Sequence, residues 1–245
     1  MWIVGIDLAW GEKKADGVCV LKVRGKKACL ETMAYPQGDD ALLKVIDPFA
    51  GSPEPVIVAL DAPVVCINEG GSRPVDREMH RLFGKQHAGC HPVNKRLCPR
   101  ALRVAARIQQ CYPQSSGKRP PGGKAGEVYG VPWLMEVYPH AALVSLFSLE
   151  RIIKYKRGSV AERKVEFRRL QSLLREQGRC LFPGLEASGI LDRLLERTWS
   201  KEVEDRTDAF ICSLIGLWHW NHRGRKSRVV GDLETGFILV PVLER

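Results

Sequence analysis

Two apolar segments that each end in an aspartate constrain the fold of this chain more than any other feature. Residues 2–8 read Trp-Ile-Val-Gly-Ile-Asp-Leu, and residues 55–60 form a continuous apolar run that is followed by Asp61. A run that is apolar at every position is typical of a strand buried on both faces of a sheet. If the two strands are parallel neighbours, Asp7 and Asp61 lie together at the carboxyl edge of the sheet, where ligands bind in open α/β folds.

The intervening and following segments predict a mixed sheet flanked by helices. Two β-rich runs, 16–23 and 27–34, are joined by Arg24-Gly25-Lys26, a hairpin signal, so the chain opens with three antiparallel strands. Hydrophobic periodicity and start and stop signals predict the later elements. The expected helices cover 39–49, 74–84, 99–112, 139–149, 160–177, part of 186–198 and 201–220, and the expected strands cover 133–138, 228–232 and 236–240. This order predicts an α/β fold in one domain over residues 1–245, with insertions at about 64–132 and 150–200.

Composition is that of an ordinary globular protein. Apolar residues make up 44% of the 245 residues and charged residues 27%, and up to roughly 250 residues one core can serve. The sequence has no apolar stretch of about 18 residues and no basic signal segment at its start, so we expect no membrane contact. Eight scattered cysteines without a CxxC pair favour reduced thiols in a cytoplasmic protein.

The charge distribution favours a polyanionic partner. The net charge is +10, and the tract between Glu78 and Glu127 contains ten cations and no acid, while a second basic run spans residues 151–179. Such blocks are typical of nucleic-acid contacts, although a solubilising surface is the alternative. Three arginines of the tract share one face of a predicted helix, and two cations follow in a segment rich in Pro, Gly and Ser. The candidate phosphate-binding residues are Arg100, Arg103, Arg107, Lys118 and Arg119.

Three further acids complete a set of candidate site residues. Glu136 lies in a predicted strand, and Asp205 and Asp208 share one face of the last helix because they are spaced i, i+3. The sequence around them shows no cationic partner. Two carboxylates 4 Å apart repel by about 4 kcal/mol at an effective dielectric near 20, so converging acids need protons or a divalent cation, and oxygen ligands suit Mg²⁺ or Mn²⁺. Each acid could instead be a hydrogen-bonded structural residue.

Five segments of the chain resemble the predicted RNase H-like nucleases that are grouped as domain of unknown function 429. They are Val4-Gly-Ile-Asp-Leu-Ala-Trp10, Ala59-Leu-Asp-Ala-Pro63, Glu136-Val-Tyr-Pro-His-Ala-Ala142, Asp205-Arg-Thr-Asp-Ala209 and Gly231-Asp-Leu-Glu-Thr-Gly236. The resemblance implies an RNase H-like fold, with three antiparallel strands, a helix, and then alternating strands and helices. Resemblance to the wider superfamily implies divalent-metal hydrolysis of phosphodiester bonds.

The same resemblance assigns a role to each acid. Asp7 would be the metal ligand of the first strand and Asp208 the ligand of the late helix, with Asp205 as its neighbour, similar to the last acidic pair of RuvC-type resolvases. Asp61 takes the place in the fourth strand where a resolvase uses Glu, which shortens its reach. Glu136 has no equally firm counterpart.

The leading hypothesis is therefore a Mg²⁺- or Mn²⁺-dependent nuclease that acts on DNA or RNA. Its metal ligands would be Asp7, Asp61 and Asp208, with Asp205 or Glu136 completing the catalytic cluster. One alternative is a nucleic-acid-binding protein without turnover. The other is a nucleotide-binding phosphotransferase, because Val4-Gly-Ile-Asp-Leu resembles the first phosphate strand of sugar kinases and actin-like ATPases; this chain lacks their second glycine-rich motif.

One further group of residues is rich in histidine and cysteine. His80, His87, Cys90, His91 and Cys98 crowd a short stretch, but only His87-x-x-Cys90 approaches the spacing of a zinc site. His140 follows Glu136 by four residues and is either an auxiliary base or a hydrogen-bonded structural histidine.

Overall fold

A five-stranded mixed sheet lies at the centre of the computed structural model, which describes residues 1–112 and 127–243. The strands of this sheet and of two small hairpins are β1 (Trp2–Asp7), β2 (Gly17–Arg24), β3 (Lys27–Ala34), β4 (Val56–Asp61), β5 (Glu127–Val128), β6 (Val131–Pro132), β7 (Leu134–Glu136), β8 (Ser227–Asp232) and β9 (Gly236–Pro241). The central order is β3-β2-β1-β4-β7, with β1, β2 and β3 antiparallel and β1, β4 and β7 parallel. The expected α/β class with three antiparallel strands followed by parallel ones is confirmed, and it is compatible with an RNase H-like fold.

Helices flank this sheet. They are α1 (Asp39–Ala50), α2 (Pro74–Phe83), α3 (Pro99–Cys111), α4 (Pro139–Leu146), α5 (Val160–Leu181), α6 (Gly189–Glu196) and α7 (Lys201–Asn221). The prediction that Gly178 ends α5 is wrong, because the helix continues to Leu181 and brings Phe182 against Trp218, with ring centroids 5.8 Å apart. This apolar packing outweighs the cost of a glycine inside a helix, about 1 kcal/mol. Within residues 1–112 and 127–243, every helix is too short or too polar to cross a lipid bilayer.

Close backbone packing places α7 directly on the sheet. A Cβ added at Gly5 of β1 would lie 2.1 Å from the carbonyl oxygen of Ala209, and one added at Gly17 of β2 would lie 2.1 Å from that of Asp205. Only glycine permits this approach, because real Cβ atoms do not come so close to backbone oxygens. The two glycines therefore bring the Asp205–Asp208 turn of α7 to the carboxyl end of β1.

Candidate functional site

Asp7 and Asp61 lie side by side, as the strand pattern predicted. They are paired residues at the ends of the parallel strands β1 and β4, and neighbouring strands lie about 4.8 Å apart. Both border a cavity of about 750 Å³ at the carboxyl edge of the sheet. Among the described residues, neither carboxylate takes part in a hydrogen bond or an ion pair.

The environment of this pair disfavours negative charge. Burial raises the pKa of Asp7 well above its ordinary value, and the neighbouring acids raise it further, against the opposing effect of Lys156. Burial likewise raises the pKa of Asp61 to about 7, and Asp208 adds to the effect while Lys156 again opposes it. The two carboxylates together carry more negative charge than their surroundings compensate, so they have a demand for protons or for a cation.

Asp208 has partners that the sequence did not reveal. Its carboxylate is fully buried; the Tyr155 hydroxyl donates to Oδ1 at 2.6 Å, and Lys156 Nζ lies 2.5 Å from Oδ2. Burial alone would lower the pKa of Lys156, but Asp208, Tyr155 and Asp7 raise it well above its ordinary value, so the ammonium stays charged. The expectation that these acids lack cationic partners is therefore wrong for Asp208. Tyr155 and Lys156 stand in the second basic run, and only the fold assigns them to the cluster.

Asp205 is also paired. The Tyr35 hydroxyl donates to its Oδ2 at 2.8 Å, and Lys201 Nζ lies 2.7 Å from its Oδ1. Tyr35, Lys201 and Asp205 border the same cavity as Asp7 and Asp61. Asp205 thus holds a cation at the rim, whereas sequence reasoning treated it as an unpartnered acid.

Glu136 is the most strongly engaged of the five acids. Arg73, itself 1% exposed, donates to both carboxylate oxygens at 2.6 and 2.8 Å, and the Val64 backbone N–H donates to one of them at 3.1 Å. The same guanidinium binds Asp76 of α2 at 2.8 Å. Glu136 therefore fastens the first insertion to the sheet, which corresponds to the structural alternative for this residue, and we do not place it among the metal ligands.

Arg100 is buried, and the prediction that it forms part of an exposed phosphate-binding face is wrong. It is 3% exposed, and its two terminal nitrogens donate to both carboxylate oxygens of Asp16 at 2.8 and 2.7 Å. Its Nε donates to Asp39 at 3.0 Å. These bonds anchor α3 to α1 and to the loop after β1, because a buried guanidinium needs acidic partners in place of water.

Of the other four predicted phosphate-binding residues, the structure describes only Arg103 and Arg107. Arg103 and Arg107 are partly exposed, but both pair with the aspartates in the first turn of α1, at 2.8 and 2.7 Å. Lys118 and Arg119 lie outside the described residues. The helix face that the sequence assigned to nucleic acid is thus largely compensated by acids of the same chain.

His140 borders the cavity and carries an unpartnered buried nitrogen. Its Nδ1 has no hydrogen-bond partner among the described residues, and its ring packs against Tyr138 and Tyr155. Burial lowers the pKa of His140 to about 3, so the ring is neutral. A neutral imidazole can either accept or donate a hydrogen bond through such a nitrogen, depending on its tautomer.

Two carboxylates, those of Asp7 and Asp61, are available to a metal ion here, rather than a complete set of protein ligands. In the part of the chain that the structure describes, no three His, Cys, Asp or Glu side chains lie close enough together to hold a metal. Mg²⁺ is commonly bound by one or two carboxylates together with waters and substrate phosphates, so the pair Asp7 and Asp61, whose charge Lys156 offsets only in part, fits this ion. Asp208 fits less well, because Tyr155 and Lys156 occupy its oxygens.

Comparison with known proteins gives one match. A family model described as "Protein of unknown function (DUF429)" matches residues 5–235. No curated protein and no solved structure matches the chain.

Proposed function

The chain belongs to the DUF429 family, and we propose that it is a Mg²⁺- or Mn²⁺-dependent nuclease of the RNase H-like type. The observation that carries the proposal is the pair Asp7 and Asp61, two carboxylates without a hydrogen bond or ion pair among the described residues, in register at the carboxyl edge of the sheet and bordering a cavity of about 750 Å³. Raised carboxylate pKa values in a cleft are typical of functional sites. The five family-like sequence segments and the compatible strand order add to this argument.

Asp7 and Asp61 are the residues that would hold the ion. When bound, a divalent metal activates a water molecule and stabilises the leaving oxygen of a phosphodiester. Asp61 reaches less far than Glu would, but its position directly beside Asp7 offers both carboxylates to one ion. Burial and neighbouring acids raise both pKa values. A bound cation would offset this unfavourable environment of the charged carboxylates, so these two side chains favour metal over an empty site.

The remaining acids position cations. Asp208 holds the ammonium of Lys156 at the cavity wall, and the Tyr155 hydroxyl fixes the Asp208 carboxylate. Asp205 holds Lys201 in the same way at the rim. We call Asp7 and Asp61 together with Asp205 and Asp208 the acidic centre. Each ammonium reduces the repulsion between the acidic centre and a phosphate backbone, and Lys156 can contact a phosphate oxygen of the substrate directly.

The test is metal-dependent cleavage of labelled single- and double-stranded DNA and RNA. We expect wild-type protein to cleave in Mg²⁺ or Mn²⁺ and not in EDTA, and Asp7→Asn to be inactive while it keeps its fold. Glu31→Gln, the same acid-to-amide change at an exposed position of β3, is the matched control and stays active.

Other outcomes would identify the alternative functions. Nucleic-acid binding without cleavage in any divalent metal would replace the nuclease by a binding protein without turnover. Thermal stabilisation by ATP and Mg²⁺ in a protein that does not bind nucleic acid would instead favour a phosphotransferase.

A further inference from the structure

A second cavity, of about 530 Å³, adjoins the cavity that Asp7 and Asp61 border, and we infer that it binds backbone phosphates of the nucleic-acid substrate. This inference rests on the proposed function, because it names where the substrate of the same site is held. The basic and protonatable side chains that line the cavity are Arg77, His80, His87, His91 and Arg157. We refer to this set as the basic pocket.

The basic pocket is continuous with the acidic centre. His87, Cys90, His91 and Arg157 border both cavities. A strand that runs through both cavities would therefore present phosphates to the acids in the first and to these side chains in the second. The acidic centre alone would repel a polyanion, and an adjoining group of cations compensates this repulsion.

Positive charge without an acidic partner distinguishes this pocket from the face of α3 that carries Arg103 and Arg107, which we call the α3 face. Arg77 and Arg157 are exposed, and among the described residues neither forms an ion pair, whereas Arg103 and Arg107 both do. Arg77 Nη1 donates to the Ser72 carbonyl oxygen at 2.6 Å, which orients its guanidinium. Arginine binds phosphate oxygens through charge-assisted and often paired hydrogen bonds.

Asp76, the one acid among the described residues that line the basic pocket, is already neutralised. Asp76 accepts hydrogen bonds from the side chain and the backbone N–H of Arg73 and from the backbone N–H of Val93, all between 2.8 and 3.4 Å. It is 2% exposed. Asp76 therefore presents little negative charge to a ligand in the pocket.

Tight local packing brings the three histidines to this cavity. A Cβ added at Gly89 would lie 2.8 Å from His80 Nδ1, so the chain after α2 folds directly onto the end of that helix. His87 adopts a left-handed backbone conformation, with φ 62°, which is uncommon for a residue other than glycine. No three of the described His, Cys, Asp or Glu side chains lie close enough together to hold a metal ion. Imidazole N–H groups donate to phosphate oxygens.

The recognised ligand is a phosphodiester backbone rather than a base sequence. The pocket offers guanidinium and imidazole donors, which contact phosphates and carry no direct sequence information. Binding should therefore depend strongly on salt and weakly on sequence, for DNA and RNA alike.

The test is the salt dependence of oligonucleotide binding to the full chain in EDTA, with labelled single-stranded DNA and RNA of the same sequence. Arg77→Ala/Arg157→Ala should weaken binding on the order of tenfold or more at low salt and reduce the slope of log affinity against log salt by up to roughly 1.4 units, at about 0.7 per phosphate contact. Arg103→Ala/Arg107→Ala removes the same charge from the α3 face and should bind like wild type.

Three outcomes would overturn the basic pocket: unchanged binding by the Arg77/Arg157 variant, an equal loss in the Arg103/Arg107 control, or no affinity of wild type for either oligonucleotide. The metal site is judged separately, by the rise in melting temperature that Mg²⁺ causes. That rise should persist in Arg77→Ala/Arg157→Ala and disappear in Asp7→Asn. The pocket and the proposed function can therefore fail independently.

Discussion

Asp61→Asn should stabilise the metal-free protein. The change keeps the shape of the side chain but removes one of two charges at the ends of adjacent strands. With the strands about 4.8 Å apart, two charges at roughly 5 Å repel by about 3 kcal/mol at an effective dielectric near 20. Lys156 offsets part of this repulsion, because it opposes the pKa rise of both acids. We therefore expect a net gain on the order of 1–2 kcal/mol in the free energy of unfolding.

The assay is thermal unfolding at pH 8 in EDTA and again in Mg²⁺. For a chain of this size a gain of 1 kcal/mol raises the melting temperature by about 2–4 °C, so Asp61→Asn should melt several degrees above wild type in EDTA. Mg²⁺ should raise the melting temperature of wild type and have little effect on the variant, because ligands stabilise only the state that binds them.

Glu31→Gln makes the same chemical change at an exposed position and should stay within about 0.5 kcal/mol of wild type. A lower melting temperature of Asp61→Asn in EDTA would refute the reasoning, since it would mean that the Asp61 carboxylate makes stabilising contacts that an amide cannot replace.

Three further predictions concern the pH dependence of stability, the half-buried Lys156 and the buried Arg73. Folding raises the pKa of Asp61 to about 7 from an unfolded value near 3.9, so between these pH values the folded state binds more protons than the unfolded state. In EDTA, the free energy of unfolding of wild type should therefore fall more than that of Asp61→Asn as pH rises from about 4 to 7. A smaller fall in wild type than in Asp61→Asn would refute the assignment. Lys156→Met should destabilise the protein in EDTA by on the order of 3 kcal/mol in urea unfolding, because it leaves a buried carboxylate without a counter-ion, and a loss under about 1 kcal/mol would contradict this. Arg73→Met should cost about 3–5 kcal/mol because Glu136 loses its buried partner, whereas Arg77→Met at an exposed site should cost under about 1 kcal/mol, and equal losses would contradict this.

The fold could be predicted because its signals are local. The apolar runs that form β1 and β4 and the periodicity of the helices depend on residues within one or two turns or along one strand. The adjacency of Asp7 and Asp61 followed from a single topological assumption, that these two strands are parallel neighbours, and the register confirms it.

The ion pairs could not be predicted, because they join distant residues. Arg100 and Asp16 are 84 positions apart, and Arg73 and Glu136 are 63 apart. A count of cations along the tract from 79 to 126 shows an excess of charge but not which acids of α1 and of the loop after β1 neutralise it. The same limit hid Lys156, which looked like one of many surface cations and is instead the counter-ion of Asp208.

The most direct test of the central claim is anomalous diffraction from crystals soaked in Mn²⁺. We expect one manganese peak about 2.1 Å from a carboxylate oxygen of Asp7 and a carboxylate oxygen of Asp61, and no such peak in crystals of Asp7→Asn. Two results would contradict the assignment of this carboxylate pair as the metal site. One is manganese bound elsewhere, and the other is no bound manganese in crystals in which the Lys156–Asp208 ion pair is intact.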